Sequence, residues 1–301
     1  MKGLTVLALV ASLALAGTAA QFRSGVDLVS FVVVASDKEG LVAGLTKEDF
    51  TVVEEGKPQT IRFFAQGDVS ERVPLRLGLL FDVSGSMSLD IDLSKTAAIK
   101  FMNAVEHAKD VTLVDFDTEV RLARYRPDDY PRLIERIRGK EVDGWTALYD
   151  AIGVYLNAMA MEDGQKVLVL YTDGGDTRSR MSISQIIDLL KWIDVQVYAI
   201  GFIEHQGTAR IEQRMRLEQI ANATGGRAFF PTSKEQLEEY YDDILGELNG
   251  RYTIGYISNS TAGAGFRKVD IKVTNPAYRN VKIRARNGYY AAPKPGRSIA
   301  R

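Results

Sequence analysis

Leu79-Leu80-Phe81-Asp82-Val83-Ser84-Gly85-Ser86-Met87 is an apolar strand that ends in an aspartate followed by two hydroxyls at alternate positions. The apolar run delivers Asp82 to the carboxyl end of a buried strand, and in open α/β sheets that edge is where ligands sit. Oxygen donors crowded there point to a hard divalent cation. Mg²⁺ prefers near-octahedral oxygen coordination, so one D-x-S-x-S loop supplies too few ligands by itself.

Two later segments can complete the set. Gly144-Trp145-Thr146-Ala147-Leu148 offers a hydroxyl just before an amphipathic helix, and Val167 to Tyr171 is a second apolar strand running into Thr172-Asp173-Gly174-Gly175. Both reach the same sheet edge. Each residue alone also has a plainer role, because Asp, Ser and Thr favour helix caps and Asx-type turns. Only their conjunction goes beyond that.

Outward from this stretch, strand and helix alternate. After strand Leu75–Asp82, the residues Leu93, Ala97, Ala98, Phe101, Met102 and Val105 recur at helical spacing, and Val111–Phe116 is the next strand. Helices are expected over Tyr130–Ile137, over Leu148 to Met159, and around Ile186 to Ile193, with strands Lys166–Tyr171, Val195–Phe202 and Arg227–Phe230 between helices. A last helix runs from Leu237 to Leu248. Such βαβ alternation means an α/β, doubly wound, mostly parallel sheet.

With these loops in place, the chain resembles a von Willebrand factor A (vWA) domain. That family builds its metal-ion-dependent adhesion site (MIDAS) from D-x-S-x-S, a distant threonine and a distant aspartate. Asp82, Ser84, Ser86, Thr146 and Asp173 fill those positions in order. The resemblance implies a Rossmann-like vWA sheet, bound Mg²⁺ with Mn²⁺ or Ca²⁺ as the other candidates, and a protein ligand that offers Asp or Glu to the metal. Integrin-type A domains add adjacent acidic residues soon after the last serine for a second cation. Here Asp90 and Asp92 come later and are not adjacent, so no second site is expected. Asp176 follows Asp173 closely and has two readings, a residue that orients a metal-bound water or, more plainly, an exposed turn residue.

Catalytic constellations are scarce. The chain has no Cys and only His107 and His205, which removes thiol nucleophiles and most zinc sites. No G-x-S-x-G elbow, Walker loop or G-x-G-x-x-G loop occurs. The run Asp115-Phe116-Asp117-Thr118-Glu119, with two aspartates at alternate positions and a threonine beside them, invites comparison with haloacid-dehalogenase-like phosphatases, but their motif normally sits on the first strand of its domain. The basic run Arg121, Arg124, Arg126, Arg132, Arg136, Arg138 and Lys140 is interleaved with Asp128, Asp129 and Glu135 and reads as a solvated helix face. A non-enzymatic binding module is expected.

At the start, Lys2 precedes an apolar run from Leu4 to Ala16, and Gly17-Thr18-Ala19-Ala20 supplies the small residues of a signal-peptidase site. The run is shorter than the ~20 residues of a transmembrane helix. Residues 1–20 therefore read as a signal peptide, leaving no integral membrane span after cleavage, with an uncleaved anchor as the alternative. The absence of Cys favours a bacterial periplasm or exterior. A net charge of −1 argues against nucleic acid as a partner.

The flanks change character. Strands Leu28–Ala35, Phe50–Glu54 and Thr60–Phe64 precede the α/β region, with turns at Asp37-Lys38-Glu39-Gly40 and Glu55-Gly56-Lys57-Pro58. Beyond Gly250, Tyr252/Ile254/Tyr256, Val269/Ile271/Val273 and Val281/Ile283/Ala285 alternate with polar residues, as half-buried antiparallel strands do. Neither flank has enough residues for a core of its own. Together they are expected to form a small β-sandwich-like domain into which the A domain is inserted. The run Leu41 to Phe50, Glu54 to Gln59 with Phe63-Phe64, the Tyr252–Tyr256 strand and Arg286-Asn287-Gly288-Tyr289-Tyr290 also resemble exported A-domain proteins common in Acidobacteria.

The expected organisation is a signal peptide over 1–20, an N-terminal β flank over 21–72, a vWA domain over 73–249, a C-terminal β flank over 250–292 and a disordered tail over 293–301. The expected function is an exported, metal-dependent, adhesion-type protein-binding module. A structural scaffold of an envelope or secretion assembly, its ion only tying three loops together, is the alternative. A metal-dependent phosphohydrolase using Asp115 and Asp117 is a third reading.

Overall fold

The computed structural model describes residues 28–67, 73–105, 107–261 and 263–291. The expected leader and tail lie outside the described residues.

Among the described residues, five strands precede the α/β region: β1 (Leu28–Asp37), β2 (Gly40–Leu41), β3 (Phe50–Glu54), β4 (Lys57–Gln59) and β5 (Ile61–Gln66). Then β6 (Leu75–Asp82), α1 (Ile91–Ala104), β7 (Ala108–Phe116), β8 (Val120–Tyr125), α2 (Tyr130–Arg138) and α3 (Leu148–Met159) follow. β9 (Gln165–Thr172), α4 (Ile183–Trp192), β10 (Gln196–Gly201), α5 (Arg210–Ala223), β11 (Arg227–Phe229) and α6 (Lys234–Gly250) complete that region. The described residues close with β12 (Tyr252–Ile257), β13 (Gly265–Val273), β14 (Lys282–Arg284) and β15 (Gly288–Ala291).

The central sheet has the order β11-β10-β9-β6-β7-β8. All its pairs are parallel except β7 with β8. Every residue of β6 is buried, because helices cover both faces. On one side Leu79, Phe81, Phe101 and Tyr241 share a core, and on the other Leu80, Leu168, Ile152 and Tyr155 do. Gly78 is required on this strand, since a Cβ there would lie 2.4 Å from the ring of Tyr155 on α3.

The antiparallel edge strand β8 departs from the expected helix face. Arg121 and Arg124 lie on β8, and Arg136 on α2 turns inward to Asp115. The run is thus split between a strand and a helix, and part of it is internally paired. The first helix ends at Ala104, so His107 lies in the turn before β7.

N- and C-terminal strands pair with each other. β1 runs antiparallel to β12 from Leu28↔Ile257 to Val33↔Tyr252, and β3 pairs with β13 from Phe50↔Val273 to Glu54↔Val269. The results are a five-stranded sheet ordered β14-β1-β12-β5, with β2 paired to β1, and a four-stranded sheet ordered β15-β13-β3-β4. Phe31, Val33, Phe50, Val52, Tyr252, Ile254 and Ile271 fill the space between them. Glu54 is buried at the centre of this core, where it accepts hydrogen bonds from Tyr256 Oη (2.8 Å), Ser258 Oγ (2.6 Å), Tyr289 Oη (3.1 Å) and Arg267 Nη1 (3.2 Å). Four donors offset the cost of burying its charge.

This antiparallel unit packs on the amino-terminal edge of the parallel sheet. Gln165 at the start of β9 donates to Thr253 Oγ1 at 3.3 Å, Arg251 donates to Gln196 at the start of β10, and Arg286 pairs with Asp194 just before β10. The carboxyl edge is left clear of it.

Candidate metal centre

The order β9-β6-β7, with the chain leaving β6 in one direction and returning on its other side, places the switch point of the sheet between β6 and β9. Strand ends diverge at such a point and open a crevice. Asp82 closes β6 and Asp173 follows β9, so the two carboxylates face that crevice from either side. Both are buried.

Asp82 is held at both oxygens. Its Oδ1 accepts from the Ser84 amide at 2.9 Å, and its Oδ2 from the Thr172 hydroxyl at 2.6 Å. Thr172 Oγ1 in turn accepts from the Gly174 amide at 3.0 Å, which orients the hydroxyl toward Asp82. Asp173 Oδ1 accepts from the Gly175 amide at 2.7 Å, while its Oδ2 is buried with no hydrogen-bond partner. The Asx-type turns are therefore present, but they occupy one oxygen of each carboxylate.

The capping roles are not taken up. Ser84 begins the 3-10 turn Gly85–Leu89 without a side-chain cap, and its Oγ lies 3.2 Å from Ser86 Oγ. Met87 is buried beneath this turn and pins it to the core. The N-cap of α3 is Ala147, so the Thr146 hydroxyl does not cap that helix. Thr146 is fixed through its backbone instead: its amide donates to Thr177 Oγ1 (3.0 Å), and its carbonyl accepts from the amides of Thr177 (2.9 Å) and Arg178 (3.0 Å). Gly85 N–H donates to Gly144 O at 3.2 Å. These bonds bind the loops of Ser84–Ser86, Thr146 and Asp173 to one another.

Burial pushes the Asp82 carboxyl up to about 7, and the neighbouring Asp173 carboxylate adds to the rise against the hydrogen bonds from Ser84 and Thr172. Two buried carboxylates at one crevice with an unpartnered oxygen fit a cation. Among the described residues there is no group of three or more His, Asp or Glu side chains of metal-binding type. The donor set here holds two carboxylates, its remaining oxygens being hydroxyls. Such an all-oxygen set suits Mg²⁺, Mn²⁺ or Ca²⁺ and not a soft ion.

Sequence alone assigns Thr172 no role, and Asp90 enters it only as a residue placed too late for a second cation. The signal for Thr172 is its place as the last residue of the strand that delivers Asp173. Asp90 directly precedes α1, and its Oδ2 is buried without a partner. Burial raises its carboxyl, His205 at 3.9 Å opposes the rise, and Asp173 adds to it. Asp92 is exposed and pairs with Lys95. Asp176 is half-buried, not an exposed turn residue: its Oδ1 accepts from the Tyr149 amide (3.2 Å) and Ser179 Oγ (2.6 Å), which ties its loop to the start of α3.

Asp115 and Asp117 are closed off from this crevice's chemistry. Asp115 is buried and accepts from Arg121 Nε (2.8 Å), Arg136 Nη2 (2.6 Å) and Lys140 Nζ (2.5 Å). Burial alone would raise its carboxyl, but hydrogen bonds from Lys140, Arg121 and Arg136 hold it below the ordinary range. A nucleophile needs a free lone pair, and here both oxygens are bound to cations.

A family model described as the von Willebrand factor type A domain matches residues 77–243. No curated protein matches the chain. Among solved structures, a mutant of the PilB minor pilin from Streptococcus sanguinis is 17% identical, with a TM-score of 0.46 over 59% of this chain and 62% of that one, less than two thirds of its length. A conserved hypothetical protein, BatB, from Bacteroides thetaiotaomicron is 16% identical, with a TM-score of 0.45 over 57% of this chain and 98% of that one. A von Willebrand factor type A protein from Catenulispora acidiphila is 13% identical, with a TM-score of 0.49 over 90% of this chain and 75% of that one.

Proposed function

The chain belongs to the von Willebrand factor type A domain family, and from that premise we propose that it is a cation-dependent protein-binding module in which Asp82, Ser84, Ser86, Thr146 and Asp173 hold Mg²⁺ or a related divalent ion. The observation that carries this reading is the buried, unpartnered Oδ2 of Asp173 beside the Asp82 carboxyl. When bound, the ion supplies an electrophilic position that a carboxylate from a partner's Asp or Glu completes.

The protein's own residues prepare that event. Thr172 fixes the Asp82 carboxyl through its hydroxyl, Gly175 fixes one Asp173 oxygen, and Met87 anchors the serine loop from below. Little of the site has to be ordered when the partner arrives, which lowers the entropic cost of association. The α/β unit carries the site, and the antiparallel strands β1–β5 and β12–β15 pack against its opposite edge. A location outside the cytoplasm follows from the leader read over residues 1–20; no described helix is long and apolar enough to cross a membrane. The closed ion cluster around Asp115 speaks against phosphoryl chemistry there.

Calorimetric titration of Mg²⁺ and Mn²⁺ into the ion-free chain, beside Asp82→Ala and Asp173→Ala, tests the reading. Saturable uptake lost in both variants is the expected result. Uptake retained in both, or none in the parent, refutes it and moves the weight to a scaffold role.

A further inference from the structure

Each of the three loops at the crevice carries one large exposed side chain, two of them apolar and one a cation. Leu89 ends the 3-10 turn that begins at Gly85, after both serines, and is 73% exposed. Trp145 immediately precedes Thr146 and is 65% exposed. Arg178 sits on the Asp173 loop, is exposed, and makes no ion pair among the described residues, although its amide is bonded to the Thr146 carbonyl.

Single exposed apolar residues are ordinary on protein surfaces. What distinguishes Trp145 is the effort by which its backbone is held. Its amide donates to Thr118 Oγ1 at 2.9 Å, and the preceding Gly144 takes φ +73°. A Cβ at Gly144 would lie 2.5 Å from that same Thr118 oxygen. The indole is thus presented outward from a fixed turn, and the Gly85 to Gly144 bond sets the Leu89 loop against it. Large amphipathic rings on a rigid frame give contact area at low conformational cost, which is why Trp is enriched among binding hot spots.

The charges beside the crevice follow the same logic. Asp143 accepts from the Gly144 amide, and Glu204 is paired with Arg210. Arg178 makes no ion pair among the described residues and stands next to a site that, with its ion bound, calls for an anion.

We infer, resting on the cation-dependent reading above, that the partner is a protein segment in which the metal-seeking Asp or Glu has a bulky apolar neighbour, which packs on Trp145 and Leu89, and a second acidic residue, which pairs with Arg178.

The test uses the mature chain and a displayed library of random heptapeptides with a fixed central Asp, panned in Mg²⁺ and eluted with EDTA. The enriched peptides are then measured singly by fluorescence polarisation. Expected are Trp, Phe, Leu or Met beside the fixed Asp together with a further Asp or Glu. Trp145→Ala should weaken the best peptide by about 30-fold, the size of a hot-spot truncation. Arg178→Ala should abolish the advantage of the acidic peptide over the same peptide carrying Asn at the second acidic position. Calorimetric Mg²⁺ titration of each variant reports separately on the ion site. EDTA-eluted peptides with no apolar or acidic bias, or affinities unmoved by both substitutions, overturn the inference and leave the cation-dependent reading standing. Failure to enrich any peptide by EDTA elution, or peptides that bind Asp173→Ala as well as the parent, overturns both.

Discussion

Replacing Asp82 by Asn removes the buried charge while keeping the shape of the side chain. The amide oxygen can still accept from the Ser84 amide, and the amide nitrogen can donate to Thr172 Oγ1 where the carboxylate now accepts. In the ion-free fold the Asp82 carboxyl stands at about 7, against 3.8 ordinarily, because of burial and the Asp173 carboxylate. A carboxyl raised in the folded state favours its protonated form there, so its contribution to stability is full below the unfolded value and is lost as pH rises through the folded one. The window therefore runs from about pH 4 to about pH 7. At 1.36 kcal/mol per pH unit, the distance from 3.8 to about 7 sets an upper limit of about 4 kcal/mol. Asn carries no such dependence. In ion-free buffer, Asp82→Asn should match the parent near pH 4 and exceed its stability by about 2–4 kcal/mol at pH 8. Saturating Mg²⁺ should reverse the order, since a ligand that binds only the folded state stabilises it in proportion to RT ln(1 + [L]/Kd). Urea titrations at several pH values, followed by fluorescence, give the comparison; both tryptophans, Trp145 and Trp192, lie within the α/β unit. Equal pH slopes in parent and variant, or a variant no more stable at pH 8, would refute the account of Asp82.

Three further outcomes follow from other contacts. Thr172→Val removes the hydroxyl that positions Asp82 and should weaken Mg²⁺ binding about 10- to 100-fold by calorimetry, with the fold retained. Glu54→Ala leaves Arg267 buried without its carboxylate and should cost about 3–5 kcal/mol in denaturant titrations that follow the antiparallel unit. Asp115 is held below the ordinary carboxylate range, so its contribution is present above the unfolded value and lost as pH falls through the folded one. Asp115→Asn should therefore lower stability at pH 7 and flatten the acid limb of the unfolding profile, while a generic phosphate ester is turned over no differently.

The central strands were legible because burial on both faces writes itself as an uninterrupted apolar run. β6 is found over Leu75–Asp82 as its sequence predicts, and β7 and β9 extend by a few residues beyond the apolar stretches Val111–Phe116 and Lys166–Tyr171. β8 was not legible. As an edge strand it is half-exposed, and its two arginines, Arg121 and Arg124, stand three residues apart, a spacing that suits a solvated helix face as readily as an exposed strand. β8 is fixed by its antiparallel ladder with β7, from Phe116↔Val120 to Val111↔Tyr125, and by the convergence of Arg121, Arg136 and Lys140 on Asp115, which the apolar pattern of β8 itself does not encode. The sandwich pairing was legible from the strands and turns of the N-terminal flank and the period-two alternation of the C-terminal one, but β15 was not, since Gly288 to Ala291 is too short to show a period.

The same division runs through the candidate site. Spacing along the chain placed Asp82, Ser84, Ser86, Thr146 and Asp173 on three loops because each loop ends a strand or begins a helix whose apolar pattern is plain. Thr172 and Asp90 belong to the site's surroundings for a different reason, namely where their side chains point once β9 lies beside β6. Thr172 is the more instructive. A threonine at a strand end carries no information by itself, yet its hydroxyl couples the two strands at the switch point by bonding Asp82 across the sheet and the Gly174 amide along it. The two acidic loops are therefore linked mechanically as well as electrostatically. A change that displaces Asp173 must also disturb the orientation of Asp82, so ion uptake and loop order should rise and fall together in hydrogen exchange of the Gly174 and Ser84 amides. The antiparallel unit, being packed on the far edge through Thr253, Arg251 and Arg286, holds the strands from below and leaves that coupling free to respond to what docks above.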